Sequence, residues 1–256
     1  MYDVSKIIDP CLFNQLLLLL PDPQQKKTGR HRCLKEALLF GILQVLINGV
    51  TWKKIIEDGA SSSSCHRYFQ ELQRRGWPKG VFTQLQLKKT DLTLTASDTS
   101  TATSFRFRYG TGWDGKHRKI GTKISLLTDR GGLPADVVFG RGSIHDLHFL
   151  PSHLENTQGR RKRIINLDKG YTSLDLRRSL RNSGTRINME MRTGDYTRKR
   201  GPKFGFDKEK YKARFLIEKC FGWLKAFKRI RLRVEFKLSS YKAFVYLALI
   251  IILLRN

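Results

Sequence analysis

The patterning of apolar residues predicts an α/β fold with a mixed sheet, preceded by a small all-α region over residues 1–85. Two observations carry that reading. Apolar residues recur at helical spacing over 11–20 and 34–46. From Leu92 onward the period changes to two, with strand-like runs at 92–98, 120–127, 133–139 and 164–167. The resulting order is three strands joined by turns, then a helix, a strand, a helix, a strand and a helix.

In the N-terminal region Pro21 and Pro23 end the first helix, the basic stretch 26–32 introduces the second, and Asn48-Gly49 closes it before a further helical piece at 52–57. Ser61 to Ser64 can cap a helix over 65–75. That helix carries Tyr68, Phe69 and Leu72 on one side, with His66, Arg67, Arg74 and Arg75 elsewhere. A helix, a turn and a basic helix suit the major groove of DNA. A plain packing region with solvated arginines is the equal alternative.

Alternation over 92–98 puts Leu92, Leu94, Ala96 and Asp98 on one apolar face. An inward aspartate is costly unless a cation or several donors satisfy it; capping of the turn at 99–101 is the alternative. Residues 105–118 alternate rings and cations and then break at Gly110, Gly112 and Gly115. Such a segment can line a nucleic-acid strand or form a solvated hairpin. The turn from Asp129 to Gly132 joins the next two strands into an antiparallel meander. The apolar run 164–167 ends in Asp168, as a buried central strand with a carboxylate at its C-terminal edge would; a helix N-cap is the other reading. A helix over 173–182, a stop at Gly184, a strand over 185–191 and a basic connection over 192–203 follow.

The stretch 211–229 fits a helix. At 100° per residue, Tyr211, Arg214, Glu218 and Lys225 fall within about 60° on one face, beside an apolar stripe of Ile217, Phe221 and Leu224. One half-buried acid among bases points to metal or phosphate chemistry, against the alternative of an ordinary surface ion pair. The apolar run 241–254 closes the core.

Lys and Arg number 49 against 22 acids, a formal net charge of +27, while 40% of residues are hydrophobic. This is a folded protein whose partner is a polyanion, nucleic acid before others, although an RNA-coating protein shares that charge. Cys11, Cys33, Cys65 and Cys220 form no CxxC pair or zinc spacing, so they read as reduced, buried thiols of a cytosolic protein. The apolar runs 16–20 and 243–254 are shorter than a bilayer requires and read as core helices, with no membrane role.

Tyrosine, two residues, arginine, three residues, glutamate, six residues, lysine (Tyr211, Arg214, Glu218, Lys225) resembles the signature helix of bacterial DDE transposases, in particular those of the fourth and fifth insertion-sequence families. The segment from Asp98 to Thr103, DTSTAT, resembles the first catalytic motif, and Asp168-Lys169-Gly170-Tyr171 the second. GTGWDG at 110–115 and His145-Asp146 resemble the fifth family, as does GRHRCLKEALLFGILQVLINGVTWKKI from Gly29 for its end-recognising N-terminal region. The chain is thus identified as a member of that family.

The resemblance implies a ribonuclease-H-like catalytic domain over 86–256 after a helix-turn-helix-like DNA-binding domain over 1–85. It implies catalytic, metal-binding roles for Asp98, Asp168 and Glu218, the two aspartates each at a strand end. These would hold two Mg²⁺ ions about 4 Å apart, with Mn²⁺ able to substitute and Asp98 bridging. Tyr211, Arg214 and Lys225 would bind DNA, while His145 would be structural or would support the metal ligands from behind, and would not itself be a ligand. Double-stranded DNA, both terminal inverted repeats and target, is the implied partner of a homo-oligomer in the bacterial cytoplasm, at the nucleoid. A catalytically silent, repurposed DNA-binding protein is the alternative.

Overall fold

The computed structural model describes residues 7–24, 31–56, 58–105, 108–157, 163–171, 180, 184–190 and 205–256. The chain forms two compact units. The first takes residues 1–85 together with 102–109 and 223–256, the second 86–101 and 110–222.

In the first unit Asp9 caps α1 (Pro10–Leu19), its carboxylate accepting from the Leu12 amide at 2.8 Å. Helix α2 (Lys35–Asn48) packs on α3 (Ser62–Arg74), which Ser61 caps through the Ser64 amide. Gly41 lets the two approach closely, since a Cβ there would meet Cys65 Sγ at 2.5 Å. Between them, the expected helix at 52–57 is a single 3₁₀ turn, Trp52–Lys54. Its successor Ile56 is held by paired bonds to Gln44, at 2.8 and 2.9 Å, which consume the backbone groups a longer helix would use. A helix the patterning did not predict, α4 (Trp77–Lys89), follows. Cys11 is exposed and Cys33 half-buried, contrary to expectation; only Cys65 and Cys220 are buried, and burial pushes the Cys220 thiol up to about 12.

The sheet contains β1 (Leu94–Thr103), β2 (Gly112–Asp114), β3 (Lys119–Thr128), β4 (Pro134–Arg141), β5 (Arg163–Asn166) and β6 (Thr185–Asn188). Its order is β2-β3-β1-β5-β6, with β4 also on β3. Strands β2 and β4 run antiparallel to β3, whereas β1 and β6 run parallel to β5. The architecture is therefore mixed α/β. Helix α5 (Leu150–Asn156) is fastened by a sealed polar chain: Ser125 to His153 Nε2 at 2.8 Å, and His153 Nδ1 to Asp136 at 2.6 Å. The core of this unit gathers Leu92, Leu127, Leu150, Ile165, Leu167 and Ile187. The expected helix at 173–182 and connection at 192–203 lie outside the described residues, Leu180 excepted.

After β6 the chain enters α6 (Lys208–Tyr211), a 3₁₀ turn at Lys212–Arg214, and α7 (Phe215–Ala226). The single helix expected over 211–229 is thus divided. Phe227 takes extended dihedrals and buries its ring before α8 (Lys228–Arg231), so burial of Phe227 and Ile230 outweighs helical propensity there. Helix α9 (Leu238–Arg255) is apolar on every side. By length and composition it could cross a membrane, but it is 61% buried, chiefly as core of the first unit, where Phe244 stacks on Phe69 at 4.2 Å.

Candidate active site

Strand β1 is buried on both sides over Thr95, Ala96 and Ser97, and Asp98 follows half-buried. Asp98 does not end the strand. β1 runs on to Thr103 because Thr99, Thr101 and Thr103 are β-branched and suit an extended backbone. Pairing with β5 nevertheless stops just before it: Ala96 faces Asn166, and two residues further along both parallel chains stand Asp98 and Asp168. The register thus places both aspartates just beyond the paired residues of two neighbouring strands.

Burial pushes the Asp98 carboxyl above the usual carboxylate range, and Asp146 adds to this. The Thr99 amide, donating at 2.8 Å, and the cations Arg214 and Lys116 oppose it. Asp168 accepts from the Lys169 amide at 2.8 Å and begins the turn Lys169–Tyr171, whose Tyr171 ring is buried. Burial, and then the charges of Asp98, Asp146 and Asp168, raise the Tyr171 phenol.

Glu218 lies in the first turn of α7, and its carboxylate accepts from Arg214 Nη2 at 3.1 Å. Arg214 Nη1 stands 3.8 Å from Asp98, and its guanidinium lies 5.9 Å from the centre of the Tyr211 ring. Tyr211, Arg214, Asp98 and Glu218 are therefore brought together. Lys225, two turns beyond Glu218, is exposed near the end of α7. Ile217, Phe221 and Leu224 are buried, as the stripe required.

Patterning missed what anchors this helical segment. Asn166 and Asn188 occupy matching positions at the ends of β5 and β6 and are joined at 2.8 Å. Asn166 donates to the Lys210 carbonyl at 2.8 Å, and Asn188 bonds both the carbonyl and the amide of Asp207. A fully buried asparagine at the end of each of two parallel strands was the available signal. On the other side, Gly132 adopts φ +83°, and a Cβ there would come within 3.0 Å of Leu216. Asp146, named in the sequence only beside His145, pairs with Lys123 at 2.8 Å, while His145 Nδ1 accepts from the Leu147 amide.

Among the described residues no three His, Cys, Asp or Glu side chains stand close enough to hold a metal ion. The donors fit one in part. Asp98 and Asp168, each two residues past the last paired residues of β1 and β5, carry hard oxygen donors of the kind Mg²⁺ selects, whereas Glu218 is engaged by Arg214.

Asp98 on β1 and Glu218 on α7 meet at Arg214, and Asp168 stands just past the end of the neighbouring strand β5, within a mixed α/β protein. The chain belongs to the DDE transposase family of insertion sequences: the family described as "Transposase DDE domain" matches residues 89–253, which include all three acids. A curated relative from Burkholderia cepacia, named as a transposase for insertion sequence element IS402, is 28% identical over 136 residues, 50% of this chain and 60% of its own. The chain thus spans about three-fifths of that relative. Among solved structures, a piggyBac transposase synaptic complex with hairpin DNA is similar at TM-score 0.40 and 14% identity, covering 77% of this chain and 52% of its own. A Mos1 transposase paired-end complex is similar at TM-score 0.27 and 12% identity, covering 87% and 78%.

Proposed function

We propose that this protein binds the terminal inverted repeats of its insertion sequence through a DNA-binding domain at residues 1–85. Residues 86–256 then catalyse metal-dependent strand cleavage and strand transfer. The observation that carries this reading is the approach of Arg214 to both Asp98 and Glu218, with Asp168 two residues past the Asn166 that pairs with Ala96, all within the residues that match the transposase DDE domain. A sheet antiparallel around β3 and parallel around β5 supports a ribonuclease-H-like fold.

Asp98 and Asp168 would hold a divalent cation, and Glu218 would join them once Arg214 turns away from it. Bound there, Mg²⁺ or Mn²⁺ supplies activation of water or a 3′ hydroxyl and stabilisation of the leaving oxygen. A DNA phosphate is a better partner for a guanidinium than an exposed carboxylate is, because it accepts two parallel hydrogen bonds. Substrate arrival therefore favours release of Glu218 from Arg214. Tyr211 and Lys225 would orient or neutralise the same backbone, on double-stranded end and target DNA, in a homo-oligomer at the bacterial nucleoid.

The second reading, a catalytically silent DNA-binding protein, has the Arg214–Glu218 pair in its favour. Nicking of labelled inverted-repeat duplex with and without Mg²⁺, beside a gel-shift on the same preparation, separates the two. Binding with no nicking even in Mg²⁺ selects the silent protein. Equal binding of inverted-repeat and scrambled duplex by the full chain rejects the end-recognition role.

A further inference from the structure

We propose that a pocket in the first unit, walled by Tyr109 and Phe236, takes an unpaired nucleobase of the DNA by stacking. Lys237 and Lys242 meet the flanking phosphates. The inference rests on the DNA-transposition reading and extends it to single-stranded substrate.

The pocket has a volume of ≈ 380 Å³ and is lined by Tyr109, Phe236, Lys237, Leu238, Ser239 and Lys242. That is within the range of small-ligand sites. Tyr109 and Phe236 are 81% and 79% exposed. Two such rings exposed on the lining of one pocket forgo burial that a folded chain otherwise seeks, and a shared apolar lining marks a binding surface more often than a single exposed ring does.

Their backbones are fixed from below. Arg233 is wholly buried, and its Nη2 donates to the Tyr109 carbonyl at 2.8 Å and the Phe236 carbonyl at 3.3 Å. Its guanidinium lies 5.9 Å from the Tyr241 ring, and its amide bonds the Thr103 carbonyl at 2.8 Å. Burying an arginine is expensive. Here it ties two segments distant in sequence, so the backbone that carries both rings is held in place before any ligand arrives, which lowers part of the ordering cost of binding.

Charge selects the ligand. No acid lines the pocket among the described residues, while Lys237 and Lys242 do, and Arg108 donates to the nearby Val234 carbonyl. Burial and the charge of Lys79 depress the Lys242 ammonium. Aromatic faces beside ammonium groups match a nucleotide, which offers a flat π-face and a phosphate. Duplex bases hide their faces in the stack, so only an unpaired or extruded base can use these rings.

The test uses the full chain, a blunt duplex, and the same duplex with a short unpaired 3′ tail carrying 2-aminopurine. Wild type should bind the tailed duplex more tightly and quench the 2-aminopurine. Tyr109→Ala and Phe236→Ala should each weaken tailed binding about tenfold, as expected for loss of one stacking partner, with blunt affinity and melting temperature unchanged. Tyr109→Phe should restore it. Equal loss on both duplexes, or no loss, overturns the pocket. Loss of self-association in the alanine variants, with tail binding intact, assigns the surface to a second copy and also overturns it. Failure of wild type to bind either duplex defeats the transposition reading itself.

Discussion

Arg214 donates to Glu218 at 3.1 Å across one turn of backbone, and the same guanidinium stands 3.8 Å from Asp98. One cation serves two of the three acids. The Glu218 side chain is 51% exposed, so its pair with Arg214 contributes at most about 1 kcal/mol. Glu218→Gln should shift the urea midpoint very little, because it keeps shape and helix propensity. If Glu218 is the third metal ligand, the same change should abolish Mg²⁺-dependent nicking while the gel-shift survives. Nicking at the wild-type rate would assign Glu218 to ion pairing alone.

Asp98 and Arg214 should be coupled in stability. A carboxyl whose pKa rises on folding contributes stability below its unfolded value, near 3.9, and loses it as pH climbs through the folded value. Burial gives Asp98 this sign. Asp98→Asn should therefore leave stability at neutral pH unchanged or slightly higher, and Arg214→Met should lower it, since the carboxylate keeps its charge and loses its cation. A double-mutant cycle in urea should return about 0.5–1 kcal/mol. Strict additivity would mean that the 3.8 Å approach carries no energy.

Asp114 provides the opposite sign. Burial acts to raise its carboxyl, but bonds from the Thr101 hydroxyl, the His117 ring and the His117 amide outweigh that and bring it to about 2. A carboxyl depressed on folding contributes stability above its unfolded value and loses it as pH falls through the folded one. The window therefore runs from about pH 4 down to about pH 2. Acid titration of the melting temperature should be less steep there for Asp114→Asn than for wild type. The same slope in both would show that the Asp114 bonds do not stabilise the fold.

Much of this architecture was legible because strands and helices write different periods. The alternation around Asp98, the apolar run before Asp168 and the stripe of Ile217, Phe221 and Leu224 all report local burial, which sequence encodes directly. The two asparagines under α6 did not stand out, since their value lies in partners about 20 to 44 residues away. The engagement of Glu218 by Arg214 was legible as a face but not as a distance. The end of β1 was misplaced for another reason: polar threonines look like a turn, yet their β-branching extends the strand. The break at Phe227 depends on tertiary burial, to which helical periodicity is blind.

The buried array of Ser125, His153 and Asp136 has the connectivity of a hydroxyl–imidazole–carboxylate relay. Its surroundings exclude that chemistry: Ser125 and His153 have no exposed surface, and Asn156 also bonds Asp136. It is a fastening between β3, β4 and α5. His153→Leu should cost about 2–4 kcal/mol in urea, because a carboxylate and a hydroxyl lose a shared partner inside the fold. Ser125→Ala should cost less and leave nicking intact. A nicking defect in Ser125→Ala at unchanged stability would contradict the structural role.

Asn188 is the test of how the acidic centre is held together. Its side chain donates to Asn166 and to the Asp207 carbonyl and accepts from the Asp207 amide, all within 2.9 Å. Asn166 in turn donates to the Lys210 carbonyl, immediately before Tyr211. Replacing Asn188 by Leu would strand several buried polar groups at about 1–3 kcal/mol each, partly relieved if water enters. The loss should be local. Amides at Lys210 and Tyr211 should exchange faster with solvent, while those of β3 and β4 keep their protection. If cleavage needs Glu218 brought to Asp98 and Asp168, nicking should fall by at least tenfold, since a small misplacement of a reacting group is expensive. DNA affinity should change far less. Faster exchange at Tyr211 with undiminished nicking would mean that the asparagines stabilise the sheet edge without positioning Glu218.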